Sequence, residues 1–204
     1  CQVSLGVGLA FAHKYRDDGG VAYAYFGDGA ANQGQVYESF NLASLWELPV
    51  VFLIENNKYG MGTSVARAAS GGGLYKRGEG FGIPGKQVDG MDVVAVMNEG
   101  IEAAAYAREN GPVILEMETY RYRGHSMSDP AKYRSREEVS KMREEHDPIE
   151  GLKARALAAG LLSEEGMKAI DQEVRAIVAE SAEFAQQSPE PDPAELYTDV
   201  LLAS

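Results

Sequence analysis

Two short clusters carry groups suited to holding a charged ligand, Gly27-Asp28-Gly29 and Asn56-Asn57. They stand near opposite ends of "YFGDGAANQGQVYESFNLASLWELPVVFLIENNKYGMG", and each directly follows an apolar run. A carboxylate flanked by two residues without side chains is poorly suited to core packing. It suits a place where backbone must come close to a ligand. A carboxylate oxygen and an amide carbonyl, joined by a phosphate, fit Mg²⁺, a hard cation that prefers about six oxygens. Neither His nor Cys lies close by, which disfavours zinc. A helix predicted to begin just after Asn32-Gln33-Gly34 would turn its free N–H groups toward the same point and favour a phosphate. Taken singly, Gly-Asp-Gly and Asn-Asn-Lys-Tyr-Gly each read as turns. Set together at the ends of two apolar strands, they read as a site.

The second candidate is His125, between glycine and serine in the polar, basic stretch "RYRGHSMSDPAKYRSREE". A histidine in such a loop is usually just exposed, but imidazole is the side chain best placed to carry a proton near neutrality. His13 and His146 fall on charged helical faces and are assigned no role. Arg121, Arg123, Arg134 and Arg136 surround His125 and offer either loop solubility or contact with an acidic partner.

The elements that must position these groups alternate. Helical spacing runs over 4–16 and stops in Arg16-Asp17-Asp18-Gly19-Gly20. "VAYAYF" (21–26) reads as a buried strand, and Val36, Phe40, Ala43 and Leu48 mark a helix ended by Pro49. "VVFLIE" (50–55) is a second buried strand. Gly60 to Gly85 reads as a long glycine-rich loop, followed by a helix over 92–110 with Asp92 and Gly111 as caps, and a strand over 112–120. The pattern predicts a three-layer α/β fold with a mostly parallel sheet, in which ligands sit at the carboxyl ends of the strands. Charge-patterned helices follow over 135–145, 148–159 and 164–187, then a tail interrupted by proline. Residues 1–134 are expected to form the α/β domain, with 120–134 as an active-site loop. Residues 135–204 are expected to be a helical extension packed on the same domain.

The composition narrows the function classes. A net charge of −12 over 204 residues argues against a nucleic-acid partner, because a phosphate backbone would be repelled. No apolar run reaches the roughly 18 residues of a membrane span, so no membrane role is expected. The single cysteine, Cys1, excludes an internal disulfide and fits a reducing compartment. The chain opens without Met inside an apolar helix, and reads as part of a longer protein. The absence of a G-x-G-x-x-G turn after the first strand weakens a dinucleotide reading.

"GDG" through "ENN" resembles the thiamine diphosphate-binding motif of thiamine-dependent enzymes. The longer string "GDGAANQGQVYESFNLASLWELPVVFLIENNKYGMGTS", with "YRYRGHSMSDP" downstream, resembles the alpha subunits of the decarboxylating component of pyruvate dehydrogenase complexes. The similarity runs through "DPAELYTDVLL" at the end. The resemblance implies a thiamine diphosphate-binding fold whose cofactors are thiamine diphosphate and Mg²⁺. The metal ligands would be the Asp28 and Asn57 side chains and the Tyr59 backbone carbonyl. Gly27, Gly29 and Ala30 would line the diphosphate. His125 would contact the diphosphate and help to hand the acyl group onward. Ser126 and Ser64 match serines that are phosphorylated in mitochondrial relatives.

The same resemblance implies a heterotetramer in which a beta subunit supplies the glutamate that activates the cofactor. The reaction would be oxidative decarboxylation of pyruvate, with acetyl transfer to a lipoyl domain of the acyltransferase component. The setting would be the cytoplasm of a bacterium, or the mitochondrial matrix of a eukaryote. A branched-chain 2-oxo acid or acetoin dehydrogenase subunit is the nearby alternative, and a non-catalytic assembly subunit that keeps the fold is a more distant one.

Overall fold

The computed structural model describes residues 1–198. In chain order the first elements are helix α1 (Gln2–Arg16), strand β1 (Ala22–Gly27), helix α2 (Gly34–Leu45) and strand β2 (Val50–Asn56). A short hairpin, β3 (Tyr59–Gly60) and β4 (Thr63–Ser64), leads into a single helical turn, α3 (Val65–Ala68). Then come β5 (Gly85–Asp89), α4 (Val93–Asn110) and β6 (Val113–Glu118). Three α-helices follow, α5 (Arg136–His146), α6 (Pro148–Ala158) and α7 (Glu164–Gln187), and a 3-10 helix (Pro193–Tyr197) comes last.

The main sheet has the order β1-β2-β6-β5, and every pair in it is parallel. Each crossover therefore carries helix onto a face, which gives the expected three-layer α/β architecture. On one face α1 and α2 pack through Val3, Val7, Val36 and Phe40 onto Ala24, Phe52 and Ile54. The Phe40 and Phe52 rings meet edge to face at 4.8 Å between centroids. On the other face α4 sets Ala103 and Ala107 against Val51, Leu53, Leu115 and Met117. The central strand β2 is buried on both faces except at Glu55, which accounts for its unbroken apolar run.

Two sequence expectations change here. The first strand, expected to be buried, alternates buried and exposed residues, leaving Tyr23 and Tyr25 37% and 52% exposed. Among the described residues it is an edge strand; α4 packs mainly on β2, β5 and β6 and meets β1 where the Tyr23 hydroxyl donates to the Gly100 carbonyl at 2.6 Å. The glycine-rich stretch holds the hairpin, α3, a 3-10 helix (Leu74–Phe81) and the start of β5. That strand escapes a search for apolar runs because it lies at the other edge and buries only Val88. The expected caps of α4 form. Asp92 accepts the N–H groups of Val94 and Ala95 at 2.9 and 3.3 Å, and Gly111 ends the helix at φ 92°.

Contacts divide the chain into two compact units, Cys1–Leu152 and Lys153–Ser204. The helix α5 thus falls within the first unit. Residues 199–204 of the expected helical extension lie outside the described residues. Among the described residues no helix is long and apolar enough to cross a membrane.

Candidate functional site

The ends of β1 and β2 are level, with Gly27 opposite Glu55, and Asn56 stands opposite Glu118 at the end of β6. Asp28 leaves β1 directly into a 3-10 turn (Ala30–Asn32), and α2 begins two residues later with Gln33 as its N-cap. Arg77 reaches across from the glycine-rich segment and donates to the Ala31 carbonyl and the Asn32 side chain, which fixes this turn.

The turn after β2 folds back over the Asp28 segment. Lys58 and Met61 sit at φ 75° and 55°, left-handed conformations that cost energy for residues with a side chain. The turn crosses so closely that a Cβ added to Gly60 would lie 3.2 Å from the Gly29 Cα. A Cβ on Gly29 would lie 3.3 Å from the Gly60 Cα. Glycine is needed on both sides for the two backbones to pass. The same Gly60 position lies 3.7 Å from Asp28 Oδ2, so the carboxylate sits under the turn.

Asp28 is 4% exposed and makes no ion pair among the described residues. Burial pushes its pKa above the ordinary aspartate value. Backbone N–H donors, including that of Asn57, and the more distant charges of Arg121 and Lys58 oppose the shift. Asn57 Oδ1 accepts the Tyr59 N–H at 3.3 Å, which holds the amide oxygen within the turn. The Tyr59 carbonyl accepts one N–H of Arg121 at 3.0 Å and keeps a second lone pair. The structure thus brings Asp28, Asn57, Tyr59 and the Gly27-Asp28-Gly29-Ala30 backbone together at the carboxyl end of the sheet.

Asn56, beside Asn57 in sequence, has a different task. Its Nδ2 donates to the buried Glu116 at 2.7 Å, its Oδ1 accepts the Lys58 N–H at 3.1 Å, and its carbonyl accepts from Thr119 at 2.9 Å. The Lys58 ammonium pairs with Glu118 on the outer side of the turn.

His125 is exposed. Its backbone N–H donates to Asp129 Oδ2 at 2.8 Å, and the same carboxylate takes the Ala131 N–H and the Tyr133 hydroxyl, each at 2.8 Å. These donors, the His125 N–H foremost, hold the Asp129 carboxyl down at about 2. Arg121 donates to Tyr59, to the Met61 carbonyl and to the Tyr133 hydroxyl, tying the loop onto the turn. Arg134 lies buried among the rings of Tyr59, Tyr120 and Tyr133, 5.2 to 5.7 Å from their centroids. It donates to the Arg121 and Arg123 carbonyls. Arg121 and Arg134, expected as solvated or partner-facing charges, are instead spent inside the chain. Ser126 and Ser128 share a hydrogen bond at 3.1 Å on the exposed side of the loop.

The fit to a divalent cation can be judged from the donor set. A buried lone carboxylate is under pressure to protonate, and beside it lie an amide oxygen and a peptide carbonyl with a free lone pair. Such a set is short of one positive charge and offers only oxygen. Among the described residues no group of three or more His, Cys, Asp and Glu could hold a metal without further ligands.

This geometry defines a class. The family described as "Dehydrogenase E1 component" matches residues 1–194, and the chain belongs to it. Within that family the chain is 65% identical, over 202 residues, to "Pyruvate dehydrogenase E1 component subunit alpha" of Rhizobium meliloti (strain 1021), covering 98% of this chain and 58% of the relative. It is 58% identical, again over 202 residues, to the protein of the same name from Zymomonas mobilis, covering 98% of this chain and 57% of that one. It is 52% identical to "Pyruvate dehydrogenase E1 component subunit alpha, mitochondrial" of Solanum tuberosum, over 98% of this chain and 51% of the relative. The chain therefore spans between half and two thirds of the length of these relatives.

Proposed function

We propose that this chain provides the metal- and diphosphate-binding half of a thiamine diphosphate-dependent pyruvate dehydrogenase, as part of an alpha subunit that acts with a beta subunit. The observation that carries this reading is the buried, unpaired Asp28 carboxylate. It lies under a turn that presents Asn57 and the Tyr59 carbonyl, in a chain similar over nearly its whole length to proteins named as that subunit.

Asp28, Asn57 and Tyr59 would supply three oxygens to Mg²⁺. The backbone of Gly27, Gly29 and Ala30, with the N-terminus of α2, would line the diphosphate. Bound thiamine diphosphate supplies the electron sink for loss of CO₂ from a 2-oxo acid. The protein's part would be to hold the cation that neutralises the diphosphate, to keep both at one end of the sheet and to set the loop beside them. His125, on that loop, would carry a proton at an imidazole nitrogen as the acyl group passes to the lipoyl group. The acidic group that activates the cofactor would come from the beta subunit, and no glutamate of this chain is assigned to it.

The test is calorimetric titration of the full-length alpha chain, assembled with its beta partner, with thiamine diphosphate in the presence and absence of Mg²⁺. Saturable, Mg²⁺-dependent binding is expected, followed by turnover of pyruvate in preference to branched-chain 2-oxo acids and acetoin. Failure to bind would favour a non-catalytic assembly subunit. Binding with preference for another substrate would move the chain within its family.

A further inference from the structure

Glu116 is 1% exposed, a carboxylate in the middle of a strand whose other residues are almost all apolar. No lysine or arginine pairs with it among the described residues. Its two oxygens point in different directions. Oε1 takes the Asn56 Nδ2–H at 2.7 Å, and Oε2 takes the Tyr75 backbone N–H at 3.0 Å. A buried acid without a countercharge is expensive, and an apolar residue there would fill a sheet core more cheaply. The cost is consistent with something that the two hydrogen bonds accomplish.

We infer that Glu116 is the positioning residue of the candidate metal turn, setting the Asn56–Tyr59 backbone through the Asn56 amide and locking it to the glycine-rich segment through Tyr75. The inference rests on the proposed Mg²⁺ site. The carboxylate only accepts, so it obliges Asn56 to face it with Nδ2. That leaves Oδ1 for the Lys58 N–H, at 3.1 Å. Lys58 is the residue held at φ 75°, and its N–H bond helps to keep the chain in that conformation. One residue later comes the Tyr59 carbonyl, and one residue earlier the Asn57 side chain. The oxygen at the other end of Glu116 fixes Tyr75, next to Leu74, which packs in the core shared by α2 and β2. A chain of two hydrogen bonds thus runs from the buried sheet to the strained turn. It sets where two of the three proposed metal oxygens sit without itself touching the metal.

The donor logic makes a reversal possible. Glu116→Gln keeps the shape but sets an NH₂ against either Asn56 Nδ2 or the Tyr75 N–H. If Asn56 turns over to relieve this, the Lys58 N–H loses its acceptor. Adding Asn56→Asp restores every pairing. The new carboxylate accepts from the new amide on one side and from Lys58 on the other, and the amide oxygen still takes the Tyr75 N–H.

The experiment measures the Mg²⁺ concentration giving half-maximal thiamine diphosphate binding, by calorimetry on the assembled alpha–beta protein, alongside melting temperature without ligands. In Glu116→Gln this concentration should rise roughly tenfold, the lower end of what losing a partner bonded directly to a metal ligand costs, because Glu116 acts one hydrogen bond further out. In Glu116→Gln/Asn56→Asp it should return close to the wild-type value. An unchanged Mg²⁺ requirement in the single variant, or a fall in melting temperature alone, overturns the inference. If the single variant does not assemble, the double variant decides: wild-type-like Mg²⁺ dependence supports the inference, and weak binding or failure to assemble overturns it. Absence of Mg²⁺-dependent binding in the wild type would overturn the proposed site itself, a separate outcome.

Discussion

The turn after β2 and the loop after β6 leave neighbouring strands at the same end of the sheet, and different forces hold them. Beneath the turn lie a few buried polar groups. Asp28 of the facing segment, Asn56 at the end of β2 and Glu116 of β6 are all 5% exposed or less. Burial dominates there, and it pushes the Asp28 pKa up. In the loop, the Asp129 carboxylate is within reach of water and gathers three donors, which hold it down at about 2. A desolvated acid suits the proposed cation site. An acid already satisfied by its own loop suits a segment that is ordered by local bonds and able to loosen. The two meet where Arg121 of the loop donates to Tyr59 and Met61 of the turn.

The strongest way to break this contrast is at Asp28. Asp28→Ala removes the only formal negative charge proposed beside the metal. Mg²⁺-dependent cofactor binding in the assembled protein should fall by more than the roughly 10–100-fold that loss of an outer-shell partner costs. Calorimetry reads this directly, and unchanged affinity would sink the assignment.

The same residue has an opposite effect on the ligand-free protein. Because the folded pKa lies above the unfolded one, the unfolded chain releases its proton first as pH rises. Stability is therefore lost as pH climbs from the ordinary aspartate value through the raised one. Asp28→Asn cannot ionise, so its ligand-free melting temperature above that window should equal or exceed that of the wild type. A clearly lower melting temperature would mean that the carboxylate has a stabilising partner in the folded chain.

On the loop, His125→Ala should act on one half of the reaction. Reductive acetylation of the lipoyl domain should fall roughly a hundredfold or more, the usual worth of a positioned proton carrier, while decarboxylation measured with an artificial electron acceptor changes far less. Equal loss in both assays together with loss of cofactor affinity would make His125 chiefly a diphosphate contact. No change in either would leave it an ordinary exposed histidine.

The two regions differ in how much of their structure local sequence determines. The position of Asp28 and Asn57 just beyond two strand ends is legible because strand ends follow from apolar runs. Glu116 was in plain view as an acid inside "VILEME", but nothing in that run says which amide it faces. The pairing depends on β2 and β6 being neighbours, which strand periodicity alone does not give. In the loop, the charges of Arg121 and Arg134 suggested solvent or a partner. Arg134 turns inward because the tyrosines at 59, 120 and 133 come together only after folding and form a pocket for a guanidinium, and Arg121 because the turn offers it the Tyr59 and Met61 carbonyls. The edge position of β1 is hidden for a similar reason: "VAYAYF" is apolar enough for either a central or an edge strand, and only the strand order of the folded sheet decides.

A smaller effect is expected at Asp129. Its folded pKa is depressed to about 2, so its contribution to stability is complete above the ordinary aspartate value and is lost only as pH falls toward 2. Loop order should accordingly be flat across neutral pH. Asp129→Asn keeps one acceptor oxygen but sets an NH₂ among the His125, Ala131 and Tyr133 donors. Amide hydrogen exchange in residues 121–134 should rise several-fold, while Mg²⁺-dependent cofactor binding moves much less. Equal changes in both would show that loop and turn are one cooperative unit, and the contrast between them would collapse.

The smallest effect is expected at Tyr59, where the two regions touch. Its proposed metal contact is a backbone carbonyl, which a side-chain substitution leaves in place. Its ring packs 5.0 Å from that of Tyr133 and 5.7 Å from the Arg134 guanidinium, contacts that phenylalanine also makes. Tyr59→Phe should therefore shift stability by no more than about 0.5 kcal/mol and leave the Mg²⁺ requirement essentially unchanged. Tyr59→Ala sharpens the point, since it removes one of three rings around a buried cation, a loss of about 0.5–1 kcal/mol or somewhat more where water is excluded. That loss should appear as faster exchange in the loop before it appears in cofactor binding, because Arg134 is bonded to the loop carbonyls of Arg121 and Arg123. A large loss of Mg²⁺ affinity in Tyr59→Phe would instead bring the hydroxyl into the site, and the backbone assignment would have to be given up.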